Sequence, residues 1–367
     1  MRLRVLHASI HCHGDPSRRK EDTMSFTFME TLPTPEELKE RVPVSANLKK
    51  IKAERDEEIR RIFTGESDRF LLIIGPCSAD SEDSVLEYIE RLAKVQDKVA
   101  DRLLLIPRIY TNKPRTTGMG YKGIMHQPNP EGKPDLEAGL IAVRNIHIHS
   151  MEQTGLTAAD EMLYPANWSY VDDVLSYVAI GARSVENQQH RLTASGIEIP
   201  VGMKNPTSGD MSVMINSCIA AQHGHTFIYR SSEYKTDGNP LAHCVLRGAT
   251  NKHGESVPNY HFEDLELLLK LYHETTLANP AVIVDTNHSN SGKKYDQQPR
   301  ITREVLNSRK YDPRVRKLVK GLMIESYLEP GCQPIGTENH VYGKSITDPC
   351  LGWDETERLI YEVAALC

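Results

Sequence analysis

Eight short apolar segments alternate with amphipathic or polar stretches from residue 69 to the end of this 367-residue chain. Parallel strands joined by crossover helices produce this alternation, because each helix must return the chain to the same edge of the sheet. Eight such units favour an α/β fold of the closed (β/α)8 TIM barrel type over an open doubly wound sheet. The predicted strands lie at 71–74, 103–106, 157–163, 178–183, 200–204, 244–247, 281–284 and 321–324.

Two regions lie outside the eight units. Residues 226–243 combine an apolar-polar stretch with Asp237-Gly238, a hairpin turn signal, and predict a β-hairpin inserted before the sixth barrel strand. Upstream, the sequence TPEE at 34–37 is typical of a helix start, and 45–64 has the apolar stripe of an amphipathic helix. We expect a barrel at 69–367 and an N-terminal helical extension at 24–68, packed on the barrel or on another subunit. Residues 1–23 are interpreted as a disordered or non-native tail, with Met24 as a candidate start.

The charge balance excludes some classes of partner. The formal net charge of -6 argues against a protein that binds nucleic acid or anionic membranes, whose binding surface would be basic. No apolar run approaches the ~20 residues of a transmembrane helix. Seven scattered cysteines do not resemble a disulfide framework, so we expect a reducing, cytoplasmic setting.

Basic residues stand at or just after the ends of several predicted strands. They are Arg108, Lys113, Arg115, Arg183, Lys204 and Arg247. In a closed barrel the carboxyl ends of all strands converge on one opening, where active sites are built. Arginine and lysine bind phosphate and carboxylate groups, so the set predicts polyanionic ligands. For any single residue, a solvated surface cation is the alternative interpretation.

A second set at the strand ends has the chemistry of metal ligands. Cys77 follows the first strand and the chain break Gly75-Pro76, His288 follows the seventh strand, and Glu325 ends the eighth. Asp348 is a possible fourth member. Mixed sulfur, nitrogen and oxygen ligands suit Mn²⁺, Fe²⁺, Co²⁺ or Zn²⁺. No local CxxC or HExxH spacing supports the set, so a core cysteine, a capping histidine and solvated carboxylates remain the alternative.

Three further polar residues receive an interpretation. Glu161, on the third strand, is either an acid/base group or the partner of a lysine. His147 and His149 alternate on an otherwise helical stretch, and we expect both on the surface.

Eight motifs from residue 71 to the C-terminus resemble one family in content and order. They are IIGPCS (73–78), KPRTTGMGYKG (113–123), GARSVENQQHR (181–191), PVGMKNPTSG (200–209), LRG (246–248), DTNHSNSGK (285–293), MIESYL (323–328) and YGKSITDPCLGW (342–353). The chain resembles the type I 3-deoxy-D-arabino-heptulosonate 7-phosphate (DAHP) synthases of the subclass with an N-terminal regulatory extension. The resemblance implies condensation of phosphoenolpyruvate with erythrose 4-phosphate, the first step of aromatic amino-acid biosynthesis.

The resemblance also implies roles for individual residues. Metal ligands by motif position are Cys77, His288, Glu325 and Asp348. Phosphoenolpyruvate contacts are Arg108, Lys113, Arg183, Lys204 and Arg247, with Glu161 and Ala182 among the substrate-binding residues. The segment that meets erythrose 4-phosphate is Lys113, Pro114, Arg115 and Thr116. Lys113 is the candidate proton donor, and His288 is a second candidate for proton transfer.

Several alternatives stay open from sequence. A 3-deoxy-octulosonate 8-phosphate synthase has Lys-Ala-Asn-Arg-Ser where this chain has KPRT at 113–116, which favours the four-carbon substrate here. A metal-dependent sugar-phosphate aldolase is a second rival, and a sugar-phosphate sensor on an inactive barrel is the non-enzyme rival.

The resemblance further implies a homo-dimer or homo-tetramer and an aromatic amino-acid inhibitor, commonly phenylalanine or tyrosine. One specificity region falls at 195–199, where Glu198 replaces the small residue that we would expect.

Overall fold

The computed structural model describes residues 26–115 and 118–367. In chain order the strands of these residues are β1 (Phe70–Gly75), β2 (Leu103–Pro107), β3 (Ala158–Glu161), β4 (Leu175–Ile180), β5 (Val201–Lys204), β6 (Thr226–Tyr229), β7 (Ser232–Lys235), β8 (His243–Leu246), β9 (Ala249–Thr250), β10 (Ser256–Val257), β11 (Val282–Asp285), β12 (Val319–Glu325), β13 (Glu329–Cys332) and β14 (Lys344–Ser345). Eight of them form one parallel sheet in the order β2-β1-β12-β11-β8-β5-β4-β3. A parallel bridge between Arg108, just after β2, and Ala159 in β3 joins the two edges. The predicted (β/α)8 barrel is therefore confirmed.

Helices connect the barrel strands along its outside. In chain order the α-helices of the described residues are α1 (Pro35–Arg41), α2 (Ala46–Thr64), α3 (Glu82–Val99), α4 (Leu136–Thr154), α5 (Gln188–Ala194), α6 (Met211–Gln222), α7 (Phe262–His273), α8 (Gln298–Tyr311), α9 (Pro313–Leu318) and α10 (Trp353–Leu366). The crossover from β3 to β4 contains a 3-10 helix, Pro165–Tyr170, and a second 3-10 helix, Tyr295–Gln297, precedes α8. Within the described residues, no helix is both long and apolar enough to span a membrane.

The predicted N-terminal helices form, and α2 packs against the barrel core. The capping box at Thr34 and Glu37 starts α1, and Ser45 caps α2. Ile59, Ile62 and Phe63 of α2 join the same buried cluster as inward-facing strand residues. The Phe63 ring lies 4.4 Å from the ring of His243, the first residue of β8. Helix α2 thus covers the amino-terminal end of the barrel, while the domain boundaries at 24 and 69 stay a prediction.

The inserted hairpin is present as β6 and β7, but its turn is not where the sequence indicated. The two strands pair antiparallel across Arg230-Ser231, which have φ angles of 49° and 60°. A two-residue turn with positive φ at both positions matches the twist of the strands. Gly238, the predicted turn glycine, also has positive φ, but it makes a close approach to Gln222 beyond the hairpin. The predicted turn at Asp237-Gly238 was therefore wrong.

Buried polar side chains account for two further differences. The fourth strand is Leu175–Ile180 rather than 178–183, because Ser176 and Tyr177 are buried with hydrogen-bond partners instead of lying in a loop. The Tyr177 hydroxyl lies 2.8 Å from His243 Nε2 inside the barrel. His147 is not on the surface: it is 1% exposed, and its Nε2 lies 3.7 Å from Asp160.

One buried arginine ties the N-terminal extension to the barrel. Arg144 of α4 is fully buried, and its guanidinium lies 2.6 Å from Asp173 Oδ1. The same group donates to the carbonyl oxygen of Val42, between α1 and α2, at 2.9 Å, and to that of Tyr170 at 2.7 Å. Removing such a group leaves a carboxylate and two carbonyl oxygens with unsatisfied hydrogen-bonding capacity.

We predict that Arg144→Met lowers the free energy of unfolding by roughly 3 kcal/mol, because it breaks a buried ion pair. The matched control is Arg303→Met, which removes a solvent-exposed pair with Glu362 and should cost less than about 1 kcal/mol. Urea unfolding followed by circular dichroism measures both values. Equal losses in the two variants would contradict an anchoring role for Arg144.

Candidate active site

The carboxyl ends of the barrel strands surround a cavity of about 230 Å³. The predicted site residues that line it are Cys77, Arg108, Lys113, Pro114, Arg115, Glu161, Ala182, Arg183, Lys204, Arg247, His288 and Asp348. Glu325 is buried against two of these residues, Arg108 and His288. Thr116 lies outside the described residues. Positions more than 270 residues apart in sequence therefore meet in one cavity, as expected for a barrel.

Strand register brings three of the four candidate metal ligands together. One ligand atom each from Cys77, Glu325 and Asp348 lies within 4.8 Å of the other two. The Cys77 Sγ atom is 3.3 Å from Asp348 Oδ2. Gly75, two residues before Cys77, approaches the next strand so closely that a Cβ would lie 2.4 Å from the Arg108 carbonyl oxygen. A glycine is therefore required where the first strand leads into Cys77.

His288, the fourth candidate, lies beside this cluster. Its Nε2 atom is 3.7 Å from Glu325 Oε1, and its Nδ1 atom is 2.9 Å from Asp285 Oδ2. The second contact is close but poorly aligned for a hydrogen bond. His288 also has a positive φ of 51°, which is uncommon for a residue with a side chain and is typical of functional loops.

The ammonium group of Lys113 lies between two of the candidate ligands. Its Nζ atom is 2.5 Å from Cys77 Sγ and 2.9 Å from Asp348 Oδ2. Burial opposes the charge on Lys113, but Cys77 and Asp348 outweigh that effect and raise the pKa of the amine. Burial would also raise the pKa of Asp348, yet Lys113 holds this pKa below its ordinary value. The ion pair is consequently stable across the physiological pH range.

The donor set fits a divalent cation. Glu325 is 1% exposed, and its Oε1 atom accepts no aligned hydrogen bond from the described residues, although Arg108 Nη2 lies 3.0 Å away. Burial, followed by the charge of Glu325, raises the pKa of the Cys77 thiol to about 11. A thiol in such surroundings ionises readily only when a cation replaces its proton. One thiol, two carboxylates and a nearby imidazole match the borderline-soft divalent metals.

The cations of the cavity divide into paired and unpaired groups. Arg108 binds Glu325, and Lys204 lies 3.1 Å from Asp285 Oδ2. Arg183 and Arg247 have no carboxylate within salt-bridge distance among the residues that the structure describes. Burial, opposed in part by Asp285, lowers the pKa of Arg247, and Arg183 adds to this lowering. The cavity therefore has a region of uncompensated positive charge suited to an anion.

Glu161 lines the cavity without the lysine partner that one interpretation predicted. Within the described part of the chain it forms no salt bridge, and it is 9% exposed. A Cβ on Gly181 would lie 2.4 Å from Glu161 Oε1, so the glycine leaves room for this carboxylate.

Sequence reasoning missed three residues of the site. The Tyr110 ring stacks under the Arg108 guanidinium at 3.6 Å and lies 5.7 Å from Lys204 Nζ. Asp285 ends β11 and contacts both Lys204 and His288, but its strand-end position was given no role. Lys293 also lines the cavity and falls within the motif 285–293. In the sequence, both Asp285 and Lys293 belong to the motif 285–293, which could have identified them. Only the fold reveals the position of Tyr110.

Comparison with known proteins gives the family. The model of the DAHP synthetase I family matches residues 42–360. The Trp-sensitive phospho-2-dehydro-3-deoxyheptonate aldolase of Escherichia coli strain K12 is 33% identical over 352 residues, covering 94% of this chain and 98% of that protein. The Tyr-sensitive protein of the same organism is 36% identical over 349 residues, covering 93% and 95%.

A solved structure agrees with these relatives. The phospho-2-dehydro-3-deoxyheptonate aldolase from Francisella tularensis SCHU S4 superposes with a TM-score of 0.86 at 30% identity, covering 93% of this chain and 98% of that one. The barrel, the order of its motifs and these similarities agree, and the chain belongs to the DAHP synthetase I family.

Proposed function

We propose how the residues of this cavity divide the work of the family reaction. As a member of the family, the chain condenses phosphoenolpyruvate with D-erythrose 4-phosphate and water to give DAHP and phosphate, the first step of the shikimate pathway. The observation that carries the assignment is the single cavity that joins the Cys77–Glu325–Asp348 cluster to the unpaired cations Arg183 and Arg247. One substrate supplies a phosphate and a carboxylate, and the other an aldehyde and a phosphate.

Phosphoenolpyruvate binds at the cationic side of the cavity. Arg183, Lys204 and Arg247 hold its phosphate, and Arg108 and Lys204 hold its carboxylate. The positions of Arg108 and Lys204 are fixed by Glu325 and Asp285, so neither side chain has to be ordered when the substrate arrives. Such positioning supplies several kcal/mol of barrier reduction. Ala182, beside Arg183, lines the same wall.

Erythrose 4-phosphate binds next to the segment Lys113–Thr116. Pro114 and Arg115 line the cavity, and Arg115 Nε donates to the Tyr121 carbonyl oxygen at 2.8 Å. This hydrogen bond orients the guanidinium, and its terminal nitrogens have no hydrogen-bond partner among residues 26–115 and 118–367, so they can meet a phosphate. Glu161 lines the wall close to Gly181 and contributes a hydrogen-bond acceptor.

A divalent metal ion would be held by Cys77, Glu325 and Asp348, with His288 as the fourth ligand. Such an ion supplies Lewis acidity toward a carbonyl oxygen. For this chain, Mn²⁺, Fe²⁺, Co²⁺ and Zn²⁺ are compatible with the donor set. Asn287 Nδ2 donates to Glu325 Oε2 at 2.5 Å and fixes the orientation of the carboxylate.

In the reaction, C3 of phosphoenolpyruvate forms a bond to the aldehyde carbon, and water adds to C2. The bond between C2 and the phosphate oxygen then breaks and inorganic phosphate leaves. Lys113, protonated beside Asp348, delivers a proton to the oxygen of the former aldehyde. His288, held next to Asp285, is the alternative proton carrier.

The relatives also bear on the rival functions and on regulation. Each relative reported above carries the heptonate name, which favours the seven-carbon product over the eight-carbon product.

Relatives are named Trp-sensitive or Tyr-sensitive, and we extend aromatic amino-acid feedback to this chain. Glu198 of the predicted specificity region lines a cavity together with Asp56 and Trp168. A dimer or tetramer and a cytoplasmic location stay predictions.

The first test is the reaction itself. Phosphoenolpyruvate and erythrose 4-phosphate together should release one inorganic phosphate for each DAHP formed, because C–O cleavage follows C–C bond formation. D-Arabinose 5-phosphate, the five-carbon sugar, is the matched control substrate and should release little phosphate. A preference for the five-carbon sugar, or product without phosphate release, would contradict the assignment.

Removal of the thiol tests the metal site. Cys77→Ala should weaken affinity for divalent metal by more than about 100-fold and abolish turnover while the barrel stays folded. Cys332→Ala, which changes an exposed cysteine on β13, is the matched control and should behave as wild type. Elemental analysis after dialysis measures the bound metal, and circular dichroism checks the fold. Normal turnover of Cys77→Ala without added metal would rule out this ligand.

Lys113→Ala separates proton delivery from substrate anchoring. Loss of a general acid should lower kcat by at least about 100-fold with little change in KM, whereas loss of an anchor should raise KM for both substrates. Lys133→Ala, an exposed lysine that does not line the cavity, is the control. Wild-type kinetics for Lys113→Ala would remove this residue from the mechanism.

A further inference from the structure

A second basic cavity lies at the opposite end of the barrel from the active site. Its volume is about 660 Å³, within the range of small-molecule sites. It opens beside Arg69, which precedes β1, and Lys320, near the start of β12. Because β12 spans seven residues, the cavity lies about 20 Å from Glu325 at the other end of that strand. We call it the basal cavity.

The lining of the basal cavity is strongly basic. Its cations are Arg69, Arg309, Arg314, Arg316, Lys317 and Lys320, against one acidic lining residue, Asp68. Arg69 pairs with Glu58, and Arg314 pairs with Asp312. The other four cations have no carboxylate within salt-bridge distance in the described residues. Arg316 and Lys317 are exposed to solvent, whereas Arg309 is buried and Lys320 is half-buried, so the six cations together give this cavity a positive potential.

Arg309 is the group that points to a ligand. It is only 9% exposed, and its Nε atom has no hydrogen-bond partner among the described residues. Its Nη1 atom reaches only the Cys367 thiol, at 3.4 Å, which is a weak acceptor. The guanidinium is held rigidly because it stacks on the Phe70 ring at 4.1 Å. A buried arginine with so little compensation is costly unless an anion completes its hydrogen bonds.

Lys320 experiences the same uncompensated potential. Burial lowers the pKa of this amine, and the nearby Arg309 lowers it further, with only partial opposition from Asp68. Burial likewise lowers the pKa of Arg309. The cations therefore repel one another in the free protein, and an anion that binds between them would relieve this repulsion.

We propose that the basal cavity binds a small organic phosphate, with the phosphate group held by Arg309, Lys320 and Lys317. A phosphate offers three strong acceptor oxygens and up to two negative charges, which matches several cations better than a single carboxylate does. Inorganic phosphate would fill only a small part of 660 Å³. The half-buried and exposed apolar lining residues Leu269, Pro280 and Pro313 provide a surface for the organic part of the ligand.

The test uses phenyl phosphate as the probe and the full wild-type chain. Acylation of lysines, read by peptide mass spectrometry, reports on each amine separately. Phenyl phosphate at about ten times its Kd should slow acylation of Lys320 about tenfold, since the free fraction of the site falls as 1/(1 + [L]/Kd). Lys310, exposed on α8 and outside the cavity, should react at an unchanged rate. Phenol, which lacks the phosphate, should protect neither lysine.

A variant pair adds a readout that a merely structural role of the cations would not give. Lys320→Gln should raise the melting temperature of the free protein, because it removes a repelling charge, and should reduce the stabilisation by phenyl phosphate. Lys310→Gln makes the same charge change on the surface and should retain that stabilisation. Equal acylation of Lys320 with and without phenyl phosphate would overturn the proposal. So would a Lys320→Gln variant that melts at a lower temperature and keeps the full phosphate-dependent shift.

Discussion

The parallel pairing of β1 with β12 is the constraint on which the active site depends. Gly75 is the register partner of Glu325, and the Ser326 N–H donates to the Gly75 carbonyl oxygen at 2.9 Å. Strand β1 also pairs with β2 on the side away from β12, and this pairing brings Arg108 next to Gly75. Side chains alternate between faces, so a slip of one residue would turn Glu325 away from Arg108 and Cys77. Backbone hydrogen bonds thus fix the metal-ligand candidates before any ion is involved.

Charge compensation holds the buried side chains of the site together. Three carboxylates of the site meet a cation: the fully buried Glu325 and Asp285 pair with Arg108 and Lys204, and the partly exposed Asp348 pairs with Lys113. Buried pairs of this kind are expensive to break, which restricts the motion of every member. The unpaired Arg183 and Arg247 stand outside this network and leave positive charge at the opening. The paired side chains are therefore fixed in position, and the cavity is open to anions beside Arg183 and Arg247.

The sequence predicted the elements of the site better than its contacts. Strand ends are recognisable from apolar runs that stop at residues such as Gly75-Pro76, and the barrel then implies convergence. The bridge that Lys113 makes to Asp348 joins residues 235 positions apart, and no local spacing reports on it. Buried polar residues caused two wrong predictions. Ser176 and Tyr177 belong to β4, although the sequence placed the start of that strand at residue 178, and His147 of α4 is buried instead of exposed. Hydrogen bonds inside the protein replace solvent for Ser176 and Tyr177, whereas His147 is buried with no hydrogen-bond partner for its ring nitrogens among the described residues.

The cations near the two ends of β1 and β12 differ in whether a carboxylate neutralises them. At the carboxyl ends, Arg108 is neutralised by Glu325, and the remaining positive charge lies where we propose that phosphoenolpyruvate binds. At the amino ends, Arg309 and Lys320 have no such carboxylate partner among the described residues, although this end of a barrel usually contributes to stability rather than to function. Apolar replacements at these positions would remove the repulsion, so stability alone does not favour arginine and lysine there. An anionic ligand gives these residues a reason to be present that the fold itself does not.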